Sequence, residues 1–156
     1  MIILGFDPGI ADTGYGLLKL QDKQISVLHF GTIKTKKTTQ FPIRLTQLAS
    51  EVVKIINQYR PNRAAIERLF FYNNSKTAFS VGEARGVLTL VLAKAGIPIY
   101  EYTPLQVKQA LTGSGRADKE QVGKMLKLVF KLAEPPKSDD AADALAVAYC
   151  CATSSK

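Results

Sequence analysis

Hydrophobic and polar positions change period along this chain, and each change marks an element. Ile2 to Phe6 is a short unbroken apolar run stopped by Asp7-Pro8-Gly9, which predicts a buried strand ending in a turn. Thr13 to Leu20 and Ile25 to Ile33 alternate apolar and polar residues, and the polar stretch Gln21-Asp22-Lys23-Gln24 joins them as a turn. Three strands in a meander follow from this. Lys34 to Gln40 is polar and basic, a loop. From Phe41 the period becomes helical, with Leu45, Leu48, Val52, Ile55 and Ile56 recurring at three- and four-residue steps up to Tyr59. Arg60-Pro61-Asn62 ends that helix, and Ala64-Ala65-Ile66 makes a brief strand leading straight into Glu67.

Residues 76–95 predict a second helix, with Gly82 and Gly86 four apart on one face. Each glycine costs about 1 kcal/mol against alanine there, so a close approach of another backbone is expected. Ile97-Pro98-Ile99-Tyr100 reads as a fifth strand, short or at an edge because of its proline. Thr103-Pro104 opens a short helix, the glycine-rich loop Thr112 to Arg116 follows, and a helix runs from about Asp118 to Lys131. A last helix begins near Ser138. The order β-β-β-α-β-α-β-α-α-α predicts one α/β domain over residues 1–156 with a mixed sheet, the last few residues forming a flexible tail.

Composition narrows the function. Hydrophobic types make up 46% of the 156 residues and charged types 22%, which excludes a disordered or disulfide-stapled chain. No apolar run approaches the roughly 18 residues of a membrane span. The start reaches Asp7 too soon for a signal peptide, so a soluble, cytoplasmic protein with no membrane partner is expected. The net charge of +8 favours a polyanionic partner, above all nucleic acid. The two cysteines, Cys150 and Cys151, are adjacent and form no zinc spacing, and the single histidine, His29, lies in a strand-like stretch as a structural residue. Hydrolysis would therefore have to run on carboxylates.

Four acids stand where folding alone gives them little to do. Asp7 and Glu67 each end an apolar strand, and Asp140 and Asp143 share one face of the last helix. Three of them have a plainer reading. Asp7 suits a Pro-Gly turn, Glu67 has Arg68 beside it, and Asp139 and Asp140 complement a helix start. Asp143, one turn further in among alanines on a helix that must pack against the sheet, is harder to explain by folding alone. Two carboxylates about 4 Å apart repel by about 4 kcal/mol at an effective dielectric of 20, so four together call for cations. Oxygen ligands without His or Cys select Mg²⁺, with Mn²⁺ as a substitute, and two such ions suit phosphoryl chemistry.

Five segments resemble a known family in order and spacing. They are Gly5-Phe6-Asp7-Pro8-Gly9 with Thr13-Gly14-Tyr15-Gly16, then Ile66-Glu67-Arg68-Leu69-Phe70, then Ala84-Arg85-Gly86, then Thr112 to Lys119, then Asp140 to Ala146. Together they resemble the RuvC Holliday junction endonucleases over about residues 1–152. The resemblance implies a ribonuclease-H-like mixed five-stranded sheet flanked by helices, and a homodimer that nicks two opposing strands of a four-way DNA junction. It also implies 5′-phosphate and 3′-hydroxyl ends and work beside a branch-migration motor. Catalytic and metal-binding roles carry over onto Asp7, Glu67, Asp140 and Asp143, base stacking onto Phe70, and functional lysines onto Lys108 and Lys119. The chain departs from many relatives in having Cys150-Cys151 where they carry a histidine, and Arg68 and Asp139 are further differences.

Basic charge concentrates in residues 104–131, where Lys108, Arg116, Lys119, Lys124, Lys127 and Lys131 outweigh Asp118 and Glu120 by +4. Lys119 opens a helix behind a glycine-rich loop suited to a phosphate, and Arg116 lies in that loop. Lys124, Lys127 and Lys131 fit either a solvated face or a DNA patch. Two other functions compete. An actin-like ATPase would need a second lobe, for which the chain has no room, and an RNA-processing nuclease of the same fold is separated by its substrate.

Overall fold

The structure, a computed structural model, describes residues 1–68 and 75–154. A five-stranded mixed sheet in the order β3-β2-β1-β4-β5 runs through its centre. β1 (Ile2–Asp7), β2 (Asp12–Gln21) and β3 (Gln24–Lys34) form the expected antiparallel meander. β4 (Arg63–Glu67) and β5 (Ile99–Tyr102) run parallel to β1. Helices α1 (Phe41–Tyr59) and α2 (Ser75–Lys94) cover one face, while α3 (Pro104–Thr112), α4 (Lys119–Phe130) and α5 (Asp139–Thr153) cover the other. Strand alternation feeds two cores. Leu4 and Phe6 pack with Leu48, Val52, Leu88 and Leu92 on the α1–α2 face, and Ile3 and Ala65 with Leu126 and Leu145 on the α5 face.

Local chemistry sets the boundaries. Thr103 and Asp118 each build a capping box at the start of α3 and α4, and the Ser138 hydroxyl accepts from the Ala141 amide at the start of α5. Only Asp22 and Lys23 lie between β2 and β3, both with positive φ, so the hairpin turn is tighter than the four polar residues suggested. A bulge between Leu17 and Leu18 shifts the β2–β3 register. Ile25 and Val27 therefore pack with the α5-side core, although they share sequence parity with Ile33 on the opposite face.

Two expectations need correcting. The fifth strand begins at Ile99 rather than Ile97. The Ile97 amide donates to the Leu92 carbonyl as the chain leaves α2, and Pro98, which has no N–H, contributes only its carbonyl, to the Ala64 amide. The strand is short and at the sheet edge, as its proline required. The second correction concerns Gly82 and Gly86, where a methyl group would meet nothing within 4 Å. Their helix face opens outward, so no backbone among the described residues compensates for them. Of the expected tail, Ser154 still bonds back to the Cys150 carbonyl, and residues 155–156 lie outside the described residues.

Backbone-to-backbone approach occurs elsewhere, where α5 crosses β1 and β2. A methyl on Gly5 would collide with the Ala144 carbonyl and the Ala148 amide, and one on Gly14 with the Asp140 carbonyl. The alanine-rich face of α5, with Ala141, Ala144 and Ala148 buried, lies directly on these glycines. Gly5→Ala is expected to destabilise the fold by about 2–3 kcal/mol, a fall in melting temperature of about 5–10 °C. Thermal unfolding followed by circular dichroism checks this, and a melting temperature within error of wild type would remove the close approach as a constraint.

Candidate active site

The α5 contact with the sheet brings four acids to one edge. Asp7 is the last residue of β1 and Glu67 the last of β4, neighbouring parallel strands. Alternation puts both on the face that α5 covers, in line with Ile3 and Ala65. Asp140 and Asp143 stand three apart in the first turns of α5, and the Gly14 contact draws Asp140 down onto β2. The loop after Asp7 is held in place by hydroxyls. Thr13 donates to the Gly9 carbonyl, Thr35 donates to the Ile10 carbonyl, and the buried Arg44 donates to Thr35 at 2.9 Å.

The electrostatics of the cluster are strained. Burial pushes the Asp7 carboxyl up to about 8, helped by the charges of Glu67, Asp143 and Asp140 and opposed by Lys119. Burial likewise raises Glu67 to about 7, with Asp143 adding to it and Lys108 opposing. Asp143 and Asp140 are also raised, mainly by burial, and Lys119 pulls both back. The four acids thus sense one another across a shared space. Among the described residues no three His, Cys, Asp or Glu side chains are already gathered to hold one metal ion. The donors nevertheless suit hard divalent cations: they are carboxylate oxygens, with no thiolate or imidazole among them. Their raised pKa values come first from burial and then from one another's charge, and both effects disfavour four ionised carboxylates there.

The other candidates divide. Lys108, half-buried on α3, and Lys119, the first residue of α4, both reach the acids electrostatically. Lys119 Nζ lies 2.8 Å from Asp139 Oδ2, and this hydrogen bond raises the lysine's pKa. Asp139 is therefore the partner of Lys119 rather than a fifth isolated acid. Arg116 is exposed in its loop. Phe70 lies outside the described residues. Arg68 does not pair with Glu67. It bonds Glu101 on β5 at 3.3 Å, and Glu101 also takes Arg85 from α2. Lys124, Lys127 and Lys131 are exposed, with Lys124 paired to Glu120. The sequence reading passed over Asp12, whose charge raises Asp140 and which pairs with Lys34 at 3.6 Å. Its place at the head of β2, beside the Asp7 turn, was the available signal.

A mixed sheet of this order flanked by helices on both faces is the ribonuclease-H-like fold, here with acids at two parallel strand ends and on a crossing helix. Residues 3–151 match the family described as crossover junction endodeoxyribonuclease RuvC. A RuvC from Petrotoga mobilis is 49% identical over 150 residues, covering 96% of this chain and 92% of its own. One from Ruminiclostridium cellulolyticum is 53% identical over 150 residues, covering 96% and 90%. The solved Thermus thermophilus RuvC in complex with Holliday junction substrate superposes with a TM-score of 0.90 at 36% identity, over 96% of this chain and 92% of that one. The chain belongs to the RuvC family.

A pH test follows from the raised acids. The folded chain keeps protons on Asp7 and Glu67 that the unfolded chain, with ordinary values of 3.8 and 4.5, releases. Stability in chelator is therefore expected to be greatest at about pH 4 and below, and to be lost as pH rises through about 7 and 8. Asp7→Asn removes the larger part of this loss and should be more stable than wild type at the alkaline end. Urea unfolding across the range checks it, and parallel profiles for the two proteins would contradict the burial of Asp7.

Proposed function

We propose that this chain resolves four-way (Holliday) DNA junctions in recombination and repair by nicking two opposing strands symmetrically. The observation that carries the reading is the placement of Asp7 and Glu67 at neighbouring strand ends on the face where α5 brings Asp140 and Asp143, with Asp7 and Glu67 lifted to about 8 and 7. Family membership and the junction-bound Thermus relative support DNA over RNA as substrate. Water attacks the phosphorus and the bond to O3′ breaks, leaving 5′-phosphate and 3′-hydroxyl ends. Held by the four acids, Mg²⁺, two ions per site with Mn²⁺ able to replace it, would supply a more acidic water and neutralise the developing charge.

The residues divide the remaining work. Strand ends and a docked helix hold the carboxylates rigidly, so little reorganisation accompanies DNA binding. Lys108 and Lys119 bring positive charge to where the phosphate sits. The Lys119–Asp139 pair is exposed on both sides, so it contributes at most about 1 kcal/mol and exchanges readily for a phosphate. Phe70 stacks on a junction base, and Arg116 contacts the backbone. No helix among the described residues is long and apolar enough to cross a membrane, and a cytoplasmic site of action beside a branch-migration motor fits this reading.

A homodimer completes it. Phe79 is 85% exposed and Leu90 59%, and with Gly82 and Gly86 they form one stripe on the outer face of α2. A second copy crossing there covers the apolar stripe and uses the space the glycines leave.

Two measurements test these claims. Wild type is expected to nick synthetic four-way junctions only with divalent cation, while Asp7→Asn binds them as tightly or tighter without cutting. In the same assay Lys119→Ala should lower the single-turnover rate at saturating enzyme about tenfold or more. Cleavage by Asp7→Asn at the wild-type rate would remove Asp7 from the site, and an unchanged rate with only a weaker Kd would move Lys119 to a general basic patch. Sedimentation at micromolar protein should give twice 17.0 kDa for wild type and a monomer for Phe79→Asp. A wild-type monomer that still cuts symmetrically would contradict the dimer.

A further inference from the structure

On the opposite face of the sheet from the carboxylates, between β2–β3 and α1, lies an open cavity of about 790 Å³. Tyr15, His29 and Tyr59 make an aromatic wall, and Lys34, Lys36 and Lys54 stand around it. The His29 ring stacks on Tyr15 at 5.7 Å and 7°, and meets Tyr59 tilted at 5.8 Å and 37°. The Tyr15 hydroxyl lies 3.2 Å from His29 Nδ1, which fixes the two rings together. Lys34 is tied to Asp12 and Lys54 to Glu51, whereas Lys36 has no ion pair among the described residues. The lining therefore combines aromatic faces with a positive excess and a lysine at liberty to take an anion.

That chemistry matches a nucleotide: a flat base against the rings and a phosphate at Lys36. Two contacts at β3, the outer strand of the sheet, link the cavity to the end of the sheet that carries the acids. Thr32, on its wall, donates to the Ser138 hydroxyl that caps α5 at 3.1 Å. Lys34, on its rim, pairs with the same Asp12 whose charge reaches Asp140. These contacts put the cavity's rim and the start of α5 on the same outer strand, within reach of one bound DNA strand. We propose that this cavity is an accessory nucleotide site, which takes an unpaired nucleotide of the DNA strand at the wall of Tyr15, His29 and Tyr59 with its phosphate on Lys36. It rests on the reading of the chain as a DNA nuclease and adds a second point of strand capture remote from the chemistry.

The test uses the full chain carrying Asp7→Asn, so that DNA stays intact, and follows backbone amide NMR shifts. The probes are a dT8 oligonucleotide, dTMP and inorganic phosphate. The oligonucleotide is expected to shift the amides of Tyr15, His29, Lys36 and Tyr59, and dTMP to shift the same amides at higher concentration. Tyr59→Ala should weaken binding at these positions about fivefold or more. Lys36→Glu, an exposed change that leaves the core untouched, should abolish the phosphate part and lower the salt slope of binding by about one or more. Equal shifts with phosphate alone would overturn the nucleotide assignment, as would dTMP binding that dT8 does not reproduce. Shifts confined to Lys119 and the first turn of α5 would overturn the accessory site while leaving the nuclease reading in place. A parallel anisotropy titration with a labelled four-way junction judges that reading separately, because loss of junction binding there would count against it whatever the cavity does.

Discussion

The approach of α5 to β1 and β2 governs the site. A helix normally stands off a sheet by the thickness of the side chains between them. Here the glycines on β1 and β2 and the alanines on α5 remove most of that thickness, and the helix backbone settles against the strand backbone. Asp140 and Asp143 would otherwise project above the strand ends rather than beside Asp7. The small residues thus act through distance. They touch no substrate, yet they decide whether two halves of a carboxylate set meet.

Bringing the acids together raises a second demand. Four negative charges, partly removed from water, repel one another, and the molecule answers with protons on Asp7 and Glu67 and with positive charge from Lys108 and Lys119. Neither answer is complete. A site left short of positive charge suits a function that supplies it with bound cations, and it is an unfavourable choice for a purely structural cluster. The Arg68–Glu101–Arg85 cluster on the other face of β4 and β5 shows the contrasting case, in which acid and bases are matched within the chain.

Much of this was legible in the sequence because it rests on local pattern. The strand meander, the helix periods and the capping residues Thr103, Asp118 and Ser138 follow from neighbouring residues alone, and the structure places them within a residue or two. The four acids were legible because each occupies a strand end or helix start without an adequate local role. What escaped was non-local. The Leu17–Leu18 bulge, the two-residue displacement of β5 and the pairing of Asp139 with Lys119 depend on elements far apart in the chain. Gly82 and Gly86 show the same limit in reverse. Their spacing signalled a close contact, yet the surface they present meets none of the other described residues.

The wide separation of the acids along the polypeptide has a consequence for how the enzyme is made. Asp7 and Glu67 leave the ribosome well before Asp140 and Asp143, and the sheet that carries the first pair is complete once β5 has emerged. Until α5 is synthesised and lands on the glycines of β1 and β2, a nascent chain has two of the four acids and none of the geometry that joins them. The four-acid arrangement therefore arrives late, with the docking of a single helix. A DNA-cutting enzyme assembled in this order is harmless to the chromosome for most of its own synthesis.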